Sequence, residues 1–173
     1  AIVLLGVGKN LVQSIRHWCE ALRLIHSTGR TSTCEVTPIG KKLFSSRGWD
    51  PYLEDIGTLW LLHWNLDSRP DIASTWNLAF TQWSPTAFKS DDLVRWLMSM
   101  VAVGSRASQN SLKRDVEVFL RTYVPRRTER STAEDSFDCA LVELGLINDI
   151  ESGVYRFAHA AQPSLPDAIF YFS

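Results

Sequence analysis

The sequence predicts a mainly α protein: a helical bundle carrying winged helix-turn-helix-like parts and short β-hairpins. Three observations lead there. Five stretches place apolar residues at helical spacing. The β-prone runs are short and sit beside turn residues. And one outline occurs twice, a helix leaving through a Leu-Ile pair into a turn and a short strand, at Ala21–Ile25 and again at Glu143–Ile147.

The first helical pattern runs from about Lys9 to Ile25, after a turn punctuated by Gly6 and Gly8. Leu11, Val12, Ile15, Trp18, Cys19, Leu22 and Ile25 form its apolar stripe. Asn10, Gln13, His17 and Glu20 take the opposite side, flanked by Lys9, Ser14 and Arg16. A polar turn over His26–Ser32 and a β-prone run over Thr33–Thr37 follow. Pro38 suits the first position of a short helix through Phe44. Helix, turn, strand and compact closing element is the order of a winged helix-turn-helix, whose exposed helix enters the major groove while the wing touches the backbone. Asn and Gln pair with adenine edges, Lys and Arg with guanine or phosphate. A polar outer face is also what any solvated helix shows.

Ser45–Gly48 reads as a basic connector. Asp50 and Pro51 then predict the start of the next helix, Asp50 as its N-cap, with Glu54 and Asp55 in early turns beside the positive end of the dipole. It continues through Leu66 with apolar residues on most sides, the mark of a central buried helix. Asp71–Trp83 predicts a further helix, and Trp60, Trp64, Trp76, Phe80 and Trp83 predict an aromatic core in preference to a base-stacking platform. Ser90 caps a helix with Leu93, Trp96, Leu97, Met100 and Val101 inward. A loop over Gly104–Asn110 leads to a helix from Ser111 that buries Leu112, Val116, Phe119, Leu120 and Tyr123. Pro125–Arg130 is a basic loop; Arg126 and Arg127 suit phosphate contact, or a solvated linker. Phe137–Leu144 predicts a short helix capped by Gly145, and Leu146-Ile147 with Val154–Phe157 a hairpin. An apolar tail over Gln162–Ser173 is expected to dock. The expected organisation is a winged-helix-like module over 1–48, a helical core over 49–130 and a helix plus hairpin over 131–173, as one unit.

The 173 residues suffice for a sizeable core. No run long and apolar enough for a membrane span is present, and no signal peptide is visible. The chain opens at Ala1 inside the apolar run Ile2–Leu5, which predicts a fragment of something longer. Cys19, Cys34 and Cys139 are odd in number and far apart, neither a disulfide framework nor a zinc site, and a reducing, cytoplasmic setting is expected. The net charge of −1 conceals alternation. Residues 1–48 and 93–130 are strongly basic; 49–92 and 131–173 are strongly acidic. Such asymmetry suits separate faces for a polyanion and for another partner, or acidic segments packed beside basic ones.

The segments LGVGKNLVQSIRHW, VTPIGKKLF, GWDPYLEDIGTLWLLHW, SLKRDVEVFLRTYVP and EDSFDCALVELGLI resemble a bacterial domain-of-unknown-function family found beside PAPS-reductase-like proteins in DNA phosphorothioation gene clusters. The motifs cover most of the chain. The resemblance implies a part in sulfur modification of the DNA backbone or in linked phage defence. It also implies likeness to the DNA-nicking component of the Ssp-type system.

Nicking needs an activated water and charge stabilisation, commonly from a divalent metal held by carboxylates. Asp50, Glu54 and Asp55 are the densest candidates, but the cap and dipole reading explains all three without a metal and is preferred. Glu134, Asp135 and Asp138 form a second cluster. No P-loop, HExxH or reactive Cys motif occurs, and no metal site is assigned. The expected partners are double-stranded DNA, through Lys9, Asn10, Gln13, Ser14, Arg16, His17, Lys41, Lys42, Arg126 and Arg127, and other phosphorothioation proteins. The alternative is a scaffold for sulfur-transfer and ATPase partners, docking through the acidic segments.

Overall fold

The structure is a computed structural model that describes residues 6, 8–27, 33–100, 108–126, 138–158 and 166. It is mainly α, with two small antiparallel sheets. Helix α1 (Lys9–Ala21) leads into strands β1 (Ile25–Ser27) and β2 (Cys34–Val36), then α2 (Pro38–Phe44), α3 (Ile56–Asp67) and α4 (Ser74–Thr81). Strand β3 (Phe88–Lys89) runs into α5 (Ser90–Met100), followed by α6 (Gln109–Tyr123), a 3₁₀ turn (Ala140–Leu144), β4 (Ile147–Glu151) and β5 (Val154–Phe157).

Helix α1 stops four residues before the expected end. Arg23 adopts a positive φ of 59°. Its N–H donates to Glu20 O at 3.0 Å, and that of Leu24 to Cys19 O at 2.9 Å. This is a Schellman closure formed without the usual glycine. The chain thereby enters β1, where a polar turn was expected. β1 pairs antiparallel with β2 in the register Ile25↔Val36, His26↔Glu35 and Ser27↔Cys34. Helix α2 forms as anticipated: Thr37 Oγ1 accepts the Gly40 N–H at 3.1 Å and Pro38 occupies the first turn.

The second departure is at residues 50–55. Leu53 has φ 58°, which breaks the helix anticipated from Asp50. Helix α3 starts at Ile56 instead, capped by Asp55, whose Oδ1 accepts the Gly57 N–H at 2.6 Å. Helix α4 is shorter than its pattern, because Asp71 is tied to Arg69 in a bidentate pair at 2.7–2.8 Å and Ile72 lies in the turn. β3 has no counterpart in the sequence reading. It pairs with β5 to make a three-stranded sheet in the order β3-β5-β4. Gly145 caps the 3₁₀ turn in the left-handed region, as anticipated. The expected docking of Gln162–Ser173 falls almost wholly outside the described residues.

One hydrophobic cluster runs from Ala21 and Leu43 through α3, α5 and α6 to Ile147 and Phe157. Helix α3 is central, burying Leu59, Trp60, Leu62 and Leu66. The aromatic core exists but is centred on Phe80, which makes edge contacts with His63, Phe119, Tyr123 and Phe157. Trp64, expected within it, is 46% exposed.

Candidate nucleic-acid interface

Helix α1 carries six of the ten polar residues singled out for DNA contact. Lys9, Asn10, Gln13, Ser14 and His17 are exposed. Arg16 is half-buried and turns inward: Nε lies 3.4 Å from Glu20 Oε1 and Nη2 donates to Ser27 Oγ at 2.6 Å. Ser27 also hydrogen-bonds Glu20, and that hydroxyl chiefly holds the Glu20 carboxyl below its ordinary value. Arg16 therefore fastens the β1–β2 hairpin to α1. The hairpin carries a cross-strand pair, His26 Nε2 to Glu35 Oε2, at 3.5 Å.

The apolar stripe of α1 is covered only toward its C-terminal end. Ala21 is fully buried and Trp18 meets Trp76 edge-on at 5.1 Å. Leu11 and Ile15 are 50% and 42% exposed. In the first two turns of α1, Leu11 and Ile15 thus leave part of the apolar side open, while Val12 is half-buried. His17 lines a cavity of about 300 Å³ with Trp18, Asp115 and Val118. Burial raises the Asp115 carboxyl, and the nearby imidazole of His17 opposes that rise.

Lys41 and Lys42 occupy the last turn of α2, where cations complement the dipole. Both are exposed, and Lys42 Nζ sits 5.1 Å from the centroid of the Trp49 ring. Gly40 lets α2 approach the exit of α1: a Cβ there would lie 2.3 Å from Leu24 O. Arg126 lies elsewhere, at the end of α6, lining a cavity of about 440 Å³ with Trp18, Leu22, Arg121 and Cys139. Its backbone N–H donates to Asp138 Oδ1 at 3.2 Å. Arg127, Glu134 and Asp135 lie outside the described residues.

The three carboxylates considered for catalysis have structural duties or stand apart. Asp50 is buried, and its two oxygens accept the N–H groups of Glu54 at 2.8 Å and Asp55 at 3.1 Å. Burial alone would raise its carboxyl, but these amides and the Thr58 hydroxyl hold it below the ordinary value. Asp55 caps α3, and Glu54 is exposed. Asp50 and Glu54 therefore do not share a helix face. Among the described residues no group of three His, Cys, Asp or Glu side chains is placed to hold a metal ion.

Two features escaped the sequence reading. Trp49 and Tyr52 are 68% and 83% exposed. Trp49 is the one tryptophan of the seven lying off every predicted apolar stripe, which was the available signal. The other is the part-buried trio His63, Asp67 and Tyr123, of which Tyr123 is fully buried. His63 Nδ1 is 2.9 Å from the Tyr123 hydroxyl, and burial lowers the imidazole to about 4. Burial raises Asp67 to about 6, and its Oδ1 has no hydrogen-bond partner among the described residues.

No described helix is long and apolar enough to cross a membrane. The family described as "Protein of unknown function (DUF4007)" matches residues 1–173. No curated protein matches the chain. Two solved structures do, described as "Magnesium ion-bound SspB crystal structure" and "SspB crystal structure". Their TM-scores are 0.81 and 0.80, each at 34% identity over 96% of this chain. The chain spans about half the length of the proteins in those structures, 52% in each case.

Proposed function

The chain belongs to the DUF4007 family, and from that premise we propose that it is the DNA-contacting part of a bacterial DNA phosphorothioation system. The likeness to SspB at 34% identity supports the system. The observation that carries DNA contact is the open polar side of α1, with Lys9, Asn10, Gln13, Ser14 and His17 all exposed. On this reading Gln13 and Asn10 meet base edges and Lys9 meets phosphate. The β1–β2 hairpin acts as the wing, and Lys41 and Lys42 supply further phosphate contacts. The protein works in the cytoplasm, with modules 1–48, 49–130 and 131–173 acting as one unit; the single hydrophobic cluster spanning them supports this.

The proposal extends to nicking of one duplex strand. Magnesium appears in the description of one matching structure. The described residues of this chain offer no fitting ligand set, since Asp50 and Asp55 are engaged by backbone amides.

The test is a supercoiled-plasmid assay with and without Mg²⁺ or Mn²⁺, run beside duplex binding. Nicking that disappears in Lys9→Ala and Gln13→Ala while both melt like wild type supports the reading. Nicking that persists in both rejects the α1 face.

A second reading, a scaffold for sulfur-transfer and ATPase partners, is favoured by the exposure of Leu11 and Ile15. Copurification surviving nuclease treatment, with no DNA retained by the chain, selects it.

A further inference from the structure

The turn after α2 presents two aromatic rings to solvent and holds them there. Trp49 is 68% exposed and Tyr52 83%. An exposed Trp leaves a large apolar face in water, and surfaces that keep one usually use it. Exposure here does not come from a loose loop. The Gly48 N–H donates to Ser45 O at 2.7 Å, that of Trp49 to Lys42 O at 2.8 Å and that of Asp50 to Leu43 O at 3.2 Å. A Cβ at Gly48 would lie 2.1 Å from Leu43 O, so only glycine lets the chain fold back this tightly on α2. The buried Asp50 carboxylate then anchors the other side through the Glu54 and Asp55 amides. The two rings flank this anchor on a fixed backbone.

The charge on the α2 side of the turn is basic, while Glu54 and Asp55 are exposed on the far side of Tyr52. From Lys41 to Trp49 the chain has Lys41, Lys42 and Arg47, all exposed, and no acidic residue. Lys42 Nζ lies over the Trp49 ring at 5.1 Å, a cation–π arrangement. Rigid aromatics among exposed cations are the two parts of an unpaired-strand site: rings for bases, cations for phosphates. A paired duplex offers neither ring a base face, because its bases are already stacked on both sides.

We propose that Trp49, with Lys42 over its ring and Lys41, Arg47 and Tyr52 close by in sequence, is a stacking site for an unpaired base of DNA, such as one exposed at a gap, a frayed end or a flipped position. This rests on the DNA-contact reading above and assigns part of that DNA its own place on the surface. The α1 face takes the duplex and the Trp49 turn takes the base that leaves it.

The experiment measures affinity for a blunt duplex, the same duplex with a one-nucleotide gap, and the single strand. It compares the whole protein with Trp49→Ala, Trp49→Phe, Tyr52→Ala and Lys9→Ala/Gln13→Ala, and thermal melting confirms that each variant is folded. Base stacking predicts that Trp49→Ala weakens binding to gapped and single-stranded DNA by about 5- to 150-fold. Blunt-duplex affinity stays unchanged, and Trp49→Phe keeps most of the unpaired-strand binding. Equal binding by Trp49→Ala and wild type, or equal losses on all three DNAs, overturns the proposal. Trp49 dependence without Lys9/Gln13 dependence supports the stacking site and rejects the α1 face; the reverse rejects the stacking site alone. Loss of a copurifying protein from Trp49→Ala, with unaltered DNA binding, overturns it in favour of a protein contact.

Discussion

The Asp50 carboxylate accepts the Glu54 backbone N–H at 2.8 Å, so these two acids stand at the two ends of one turn. Removing the acceptor leaves the Glu54 and Asp55 amides unsatisfied, at a cost of about 1–3 kcal/mol. Asp50→Ala is expected to lower the melting temperature by several degrees, with Asp50→Asn in between. Because the folded carboxyl titrates below its ordinary 3.8, its contribution is complete above that pH and is lost as pH falls through the lower folded value. A variant that melts like wild type while losing activity returns Asp50 to the catalytic candidates.

His63 and Asp67 oppose one another in acid. His63 is lowered to about 4 from 6.5, so the stability of its neutral form is lost as pH falls from 6.5 toward 4. Asp67 is raised to about 6 from 3.8, so its burial penalty, full above 6, is relieved as pH falls from 6 toward 3.8. The wild-type melting temperature should change little between those limits. Asp67→Asn should raise stability at pH 8 by on the order of 1–2 kcal/mol after allowing for partial exposure, and should steepen the acid decline. Parallel melting curves for the two proteins across pH 8 to 4 contradict the assignment.

Gly40 sets the spacing between α2 and the end of α1. In Gly40→Ala the new Cβ meets Leu24 O at 2.3 Å and Val36 Cγ1 at 3.1 Å. Backbone cannot yield as a side-chain tip does, so a loss of about 1–3 kcal/mol is expected. Denaturant titration checks it, and an unchanged midpoint shows that the hairpin and α2 are not in tight register.

Much of this fold was legible, and the misses share a cause. Pro38 announced α2, the all-round apolarity of Ile56–Leu66 announced α3, and Gly145 announced the end of the 3₁₀ turn. Helix ends at Arg23 and Leu53 were not legible, because each is a non-glycine residue held at positive φ by neighbouring structure. Strand β3 is two residues long, and only pairing with Tyr155 and Val154 makes it a strand. At the candidate interface, polarity identified the open side of α1. It did not show that Arg16 is tied to Glu20 and Ser27, or that Leu11 and Ile15 are open as well.

Lys41 and Lys42 should act as phosphate contacts and not as base readers. Lys41→Ala/Lys42→Ala is expected to weaken duplex binding by a similar factor on every sequence tested, whereas Gln13→Ala should narrow differences between sequences. Competition with duplexes of different sequence separates the two. A sequence-selective loss in the lysine variant contradicts the division of roles.

The most direct measurement is duplex affinity against salt concentration for wild type and Lys9→Ala/Lys41→Ala/Lys42→Ala. The account predicts a linear fall of log affinity with log salt in wild type, and a slope shallower by about one for each phosphate contact removed. Identical affinity and slope for the two proteins at low salt would contradict it.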